Sequence, residues 1–397
     1  MFADKIVSNR QMKPFFHFYL LILIGMSLVQ SNAGELIETE RGAVNATPKQ
    51  LNELIFRFRA CGWVFSPPIV SGDVVYVGAS CAAPPNFYAI DKDSGDLLWG
   101  FRADRGVASS PTVLEDIVLG TSLGGEVFAL AKDTGELLWS VELEEAITSR
   151  PLVIGDSVIV GSRRGTLVSI ERQSGRELWR QTVKGVISRE PILLNNHLIV
   201  YSGSLESSRI TAHDLETGEK LWEMNFDYPI RGRMAVQNGE TILLSNDERL
   251  VKFDVNHRSP EVVYEFKDFV YSISVIDDDL VLLGVETDLV LFDLERREKV
   301  WTFSTEGRVG EPTINEGIVY FGSMDHHLYA VNLETGEELG RFRAGHGIPS
   351  RPYVSDGIVY FGSYDLHLYA VGDSDTQNQA ERNRSDPPVV EQAPEAQ

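Results

Sequence analysis

Short apolar runs bounded by Gly, Ser, Asp and Asn recur along this chain from residue 53 to residue 372. A representative stretch reads Ile358-Val359-Tyr360-Phe361, then Gly362-Ser363, a polar turn, and Leu368-Tyr369-Ala370-Val371. Runs this short, with turn residues at both ends, predict antiparallel strands. The pattern returns every 40 residues or so, a period that marks an array of like supersecondary units. A Pro opens each unit at Pro68, Pro111, Pro151, Pro191, Pro312 and Pro352, and the same register falls on Met234 and Ser274. Each unit closes on a second phrase: a small apolar residue, an acid, a turn with Gly, then Trp. Its fullest copy is Ala89-Ile90-Asp91-Lys92-Asp93-Ser94-Gly95-Asp96-Leu97-Leu98-Trp99. The pairs Ser94-Gly95, Thr134-Gly135, Thr217-Gly218 and Thr335-Gly336 fall between the third and fourth strands, where a tight turn needs positive φ.

Eight openings predict eight four-stranded meanders. A propeller is the expected arrangement, because it buries each sheet between two neighbours and leaves no long exposed edge. The last unit runs out near Gly372 after three strands. The missing strand lies at the other end of the chain, where Ile55-Phe56-Arg57-Phe58-Arg59-Ala60 matches Leu98-Trp99-Gly100-Phe101-Arg102-Ala103 at an offset of 43 residues. The sequence therefore predicts an all-β, eight-bladed propeller closed by its N-terminal strand. Trp99, Trp139, Trp179, Trp222 and Trp301 are expected to be structural, each filling the gap between sheets. Truncating such a ring to Ala costs about 3–5 kcal/mol. Trp63 aligns instead with Gly106 in an inter-blade loop and is expected at the surface.

The repeated phrase resembles the pyrrolo-quinoline-quinone-like repeat, over residues 53–372. Units five and six are degraded, with Tyr264 where Trp belongs and Arg297 where Gly belongs. The resemblance implies a propeller. It leaves function open, because quinone-dependent dehydrogenases, the non-enzymatic outer-membrane assembly factor BamB and sensory domains share the repeat.

Outside the repeat, Lys5, Arg10 and Lys13 precede an apolar run from Phe15 to Val29 and a small-residue site at Ser31-Asn32-Ala33. This predicts a signal peptide over 1–33, cleaved at Ala33/Gly34, and export to the periplasm; Met12 is an alternative start. Residues 34–52 form a polar lead-in and 373–397 an acidic tail rich in Gln, Asn and Pro, expected to be disordered. The formal net charge is −22, and becomes −24 without residues 1–33. That argues against a nucleic-acid partner. The two Cys residues, Cys61 and Cys81, fall in loops on one face of the first blade, so a disulfide is expected in an exported chain. With Gly34 at the cleavage site and no Cys before Cys61, no lipid anchor is expected.

Candidate chemistry is sparse. Quinone-dependent catalysis would call for adjacent cysteines and acid ligands for calcium, and no Cys-Cys pair occurs. Asp325-His326-His327 and Asp365-Leu366-His367 share an Asp-x-His spacing that is read as turn chemistry rather than metal ligation. No cofactor or metal is assigned. The residues just before each opening Pro are more informative, because they gather at one mouth of the channel. Arg150, Glu190, Arg233, Glu311 and Arg351, with Arg189 and Arg231 close by, form a candidate partner-binding rim. The expected function is a monomeric, non-catalytic, protein-binding scaffold. The resemblance implies a BamB-like role whose partner is the outer-membrane β-barrel assembly machinery. A quinone or small-ligand enzyme and a sensory or adhesion module are the alternatives. The docking loops of BamB-like proteins carry Leu-x-Leu-Arg and Asp-x-Asp. The corresponding stretches here read Thr182-Val183-Lys184-Gly185-Val186 and Ile230-Arg231-Gly232-Arg233, and match neither.

Overall fold

A computed structural model describes residues 51, 53–143, 145–204, 206–230, 234–237, 241–246 and 248–372. The expected signal peptide over 1–33, the greater part of the expected lead-in and the expected tail over 373–397 lie outside the described residues. The strands form four-stranded antiparallel sheets of one plan. Seven of them are continuous in sequence, spanning residues 69–101, 112–142, 152–182, 192–226, 234–265, 270–304 and 313–343. The self-contained blades therefore number seven rather than eight, which corrects a count based on unit openings alone. The remaining sheet is a composite of both ends of the chain. Tyr353–Ser355, Ile358–Gly362 and His367–Gly372 take Glu53–Arg59 as their outer strand. The pairing runs from Glu53 opposite Gly372 to Arg59 opposite His367.

Within a blade the second and third strands are buried on both faces, as in Val127–Leu130 and Phe321 with Tyr329. The core therefore lies between sheets rather than inside any one. The seam beside the composite sheet is typical: Phe56, Tyr360 and Leu368 pack with Val75, Tyr88 and Ile90 of the first blade. The Tyr360 hydroxyl crosses that seam to donate to the Lys92 carbonyl at 3.0 Å.

The outer strands show a feature that strand periodicity does not predict. In every sheet but the one over 234–265 their pairing slips by one residue at the same place, between Ala89 and Ile90 in the first blade and between Ala129 and Leu130 in the second; in the exception it slips two residues earlier on the third strand, between Leu250 and Val251. A bulge of this kind bends the strand and re-aims its side chains. It turns the Trp inward and leaves the residues before it exposed, Leu97 and Leu98 in one blade and Leu137 and Leu138 in the next.

That inward Trp forms a lock with the following blade. Trp99, Trp139, Trp179 and Trp301 donate their indole N–H to the carbonyls of Lys132, Arg172, Leu215 and Leu333 at 2.9–3.1 Å. All four carbonyls belong to the next blade's third-to-fourth turn. The Gly of that turn lies against the ring, and a Cβ on Gly175 would sit 2.9 Å from Trp139. Phe56 serves as the Trp of the composite sheet and rests on Gly95. The degraded units depart at two successive seams, the first in its glycine alone and the second in both ring and glycine. Arg258 replaces the Gly that would face Trp222, and its guanidinium lies 5.4 Å from the centre of that ring. Arg297 replaces the Gly facing the blade of Tyr264, and pairs with Glu261 of that blade. In the seventh blade the Trp position is Gly340. The composite sheet that follows it has no third-to-fourth turn to receive a ring.

Candidate functional site: the channel mouth and the loops around it

The rim residues are placed by the strand that follows each opening Pro, which lies innermost in its sheet. Two of them share one geometry. Arg150 donates from Nε to Thr112 Oγ1 at 2.9 Å, and Thr112 donates to the Pro151 carbonyl at 2.7 Å. Arg351 does the same to Thr313 at 3.0 Å, and Thr313 to the Pro352 carbonyl at 2.6 Å. Each Arg is thus held by the Thr that follows the opening Pro of the preceding blade. Arg351 also lies 3.5 Å from Glu311, whose side chain is only 8% exposed. Arg189 is buried, with its guanidinium 4.7 Å from the centre of the Tyr201 ring. Glu190 is half-buried. Arg231 and Arg233 lie outside the described residues, so the rim is seen in part.

Beside Arg351 the channel opens into a cavity of ≈ 240 Å³ lined by Pro68, Ile69, Ser110, Asn315 and Tyr353 among others. A quinone cofactor would need cations for its carboxylates and an acid set for its metal. Arg351 is the one cation in the cavity's lining, and it is already engaged by Thr313 and Glu311. Among the described residues no three His, Cys, Asp or Glu side chains are grouped to hold a metal ion. At ≈ 240 Å³ the space also falls below the usual range for a cofactor pocket, about 300–1,000 Å³. The residues lining this cavity do not fit the group.

The Asp-x-His turns are structural nodes. Asp325 accepts the Tyr329 hydroxyl at 2.9 Å and the amides of Glu306 and His327 at 3.1 and 3.0 Å. Burial alone would raise its pKa, but these bonds to the charged form outweigh burial and hold the carboxyl below its ordinary range. Asp365 repeats the arrangement with Tyr369 and the Gly345 amide. Burial and that carboxylate push the Tyr369 phenol up to about 12. Cys61 and Cys81 form a disulfide with a Cα–Cα distance of 6.1 Å, joining the loop that enters the first blade to the turn between its second and third strands. Of the two docking-loop stretches, Val183 is buried and Val186 bridges Gly203. Residues 231–233 are not described.

Comparison with family models gives a match to the outer membrane protein assembly factor BamB over residues 30–124, 123–223 and 285–393. The chain belongs to this family. A search of curated proteins gives no match. Among solved structures, BamB from Moraxella catarrhalis is similar at 18% identity and a TM-score of 0.64, covering 81% of this chain and 98% of that one. A quinohaemoprotein alcohol dehydrogenase from Comamonas testosteroni has the same TM-score at 16% identity, with 81% and 76% covered. A computationally designed protein reaches a TM-score of 0.69 at 15% identity, with 80% and 99% covered. Identities this low establish a shared fold. The BamB family model thus accounts for the repeat, while the resemblance in shape extends to enzymes and to a design.

Sequence reasoning passed over one group of residues. Arg308, His326, His346 and Tyr364 sit in loops on a single face. The signal was available, since Met324 and Tyr364 follow Gly-Ser at the position occupied by Leu123 in the second blade.

Proposed function

We propose that this BamB-family chain is a non-catalytic, protein-binding scaffold that works in the periplasm after loss of residues 1–33, with the outer-membrane β-barrel assembly machinery as its partner. The observation that carries this reading is the use of the channel mouth. The polar groups of Arg150 and Arg351 are bound to Thr112, Thr313 and Glu311 of neighbouring blades. Groups so engaged stabilise the ring and leave the loops between blades as the surface for a partner. The family match to an assembly factor supports the same reading. The exposed parts of Arg150, Glu190 and Arg351 contribute the inner border of that surface.

The test is crosslinking of the full chain in its own compartment, followed by identification of what is attached. Recovery of outer-membrane assembly components supports the scaffold. A purified protein that carries a chromophore or metal, and crosslinks to no other chain, overturns it in favour of a ligand-binding enzyme.

A further inference from the structure

The antiparallel order of each sheet places the loops between blades and the turns between second and third strands on one face. Across four consecutive sheets of that face, aromatic and cationic side chains form a continuous arc. Trp63, 38% exposed, meets the Tyr364 ring edge-on at 5.6 Å. Tyr364 meets His346 at 6.0 Å, and His346 stacks on His326 at 4.9 Å. The Met324 amide beside His326 donates to the Arg308 carbonyl at 2.9 Å. The Arg308 guanidinium lies 5.0 Å from the centre of the Tyr271 ring, and Tyr271 lies 6.1 Å from Phe269, itself 38% exposed.

Three observations set this arc apart from the rest of the surface. The first is composition: Trp, Tyr and Arg are the residues most enriched where binding energy concentrates at protein interfaces. The second is charge. The protein carries −22 overall, yet the arc presents the guanidinium of Arg308 and the ring N–H donors of two imidazoles. The carboxylates beside the histidine turns, Asp325 and Asp365, are turned to the hydroxyls of Tyr329 and Tyr369, and Glu286 accepts the Tyr271 hydroxyl at 3.2 Å. The third is backbone conformation. His326 holds φ +79°, and Leu366 of the composite sheet +73°, at a turn position filled by Gly125 (φ +97°) and Gly165 (φ +86°) in the second and third blades. A side chain held in the left-handed region costs about 1–2 kcal/mol relative to glycine, and such outliers point toward function.

We infer that this arc is a docking surface for an extended protein segment carrying a carboxylate beside an aromatic side chain. The partner's ring would lie among Trp63, Tyr364 and the histidine pair, while its carboxylate would meet Arg308. Trp63 is suited to the anchoring role because its loop is fixed by the Cys61–Cys81 disulfide and by a bridge from the Ser80 amide to its own carbonyl. The inference rests on the scaffold reading and adds a face and a partner chemistry to it.

The test uses the full chain and three fluorescein-labelled octapeptides with glycine flanks: one with alternating Asp and Phe, one with Lys and Phe, and one with Asp and Ala. By fluorescence anisotropy the Asp-Phe peptide is expected to bind at least about tenfold tighter than either of the others, a gap of roughly 1.4 kcal/mol. Arg308→Gln and His326→Gly should each weaken it about fivefold or more. The second substitution is decisive, because Gly is the residue that other blades use at that turn. His326→Gly should keep or raise the unfolding midpoint while weakening binding, which a purely structural histidine would not do. Equal affinity for the three peptides, or unchanged binding by both variants, overturns the inference. A photo-crosslinker placed at Trp63 or at exposed Lys184, in the loop between the third and fourth blades, separates it from the scaffold reading. Capture of assembly components at Lys184 and not at Trp63 overturns the arc alone, and capture at neither overturns both.

Discussion

Replacing Gly175 tests the lock between blades most directly. Its φ is +72°, and a Cβ there would sit 2.9 Å from the Trp139 ring. Two costs are therefore combined in Gly175→Ala: the left-handed backbone, about 1–2 kcal/mol, and displacement of a ring that is 8% exposed and bonded to the Arg172 carbonyl at 2.9 Å. Arg258 and Arg297 hold the same turn position at φ +53° and +57°, so the backbone alone does not demand glycine. At Gly175 the close approach of the Trp139 ring does. Trp139→Ala should cost about 3–5 kcal/mol for the lost ring, but it also opens the space that a Cβ at 175 would enter. Gly175→Ala should then cost only its backbone share in the Trp139→Ala background, giving a coupling of about 1–2 kcal/mol in a double-mutant cycle. Urea unfolding followed by far-ultraviolet circular dichroism reads all four variants without relying on indole emission. An equal cost of Gly175→Ala in both backgrounds would refute the lock and return the glycine to turn conformation alone.

Three further outcomes follow from the same structure. Deleting residues 53–59 removes the outer strand of the composite sheet and should lower the melting temperature of the whole ring rather than of one blade; a calorimetric transition at the parent temperature would sink the closure role. Replacing both Cys61 and Cys81 by Ser opens a bridge of sequence separation 20 and should cost about 3 kcal/mol, while an unchanged urea midpoint would show that Trp63's loop is held by its hydrogen bonds alone. Burial, with Asp133 nearby, raises the Tyr76 phenol to about 12; the same environment effect at Tyr369 also reaches about 12. Because these folded-state values exceed the unfolded one near 10, their contribution is complete below pH 10 and is lost as pH rises toward 12. Stability that stays flat from pH 9 to beyond 11 would contradict this assignment.

Much of the ring is legible in the sequence because each blade repeats the same answer to the same packing problem. The opening Pro, the Gly turn and the Trp recur at fixed offsets, and Phe56 aligns with Trp99 even though its sheet is split between the two chain ends. What escapes is any interaction whose partners sit in different repeats. Trp139 and Gly175 were each readable within their own units, one as filler between sheets and the other as a turn residue. Their contact belongs to the junction. The rim behaves in the same way: Arg150 and Arg351 read as long charges at a mouth, whereas Thr112 and Thr313 of the preceding blades draw them in. The useful unit of comparison is therefore the seam, made from the end of one repeat and the turn of the next. Seen by seams, the degraded units become intelligible. Arg258 over Trp222 replaces the glycine half of one lock, Arg297 bound to Glu261 belongs to a seam that has lost both halves, and Gly340 stands where no following turn exists to receive a ring. The arc of Trp63, Tyr364, His346, His326 and Arg308 is built across seams as well. Its pattern recurs in no single repeat, and this distinguishes it from the structural positions that every repeat must keep.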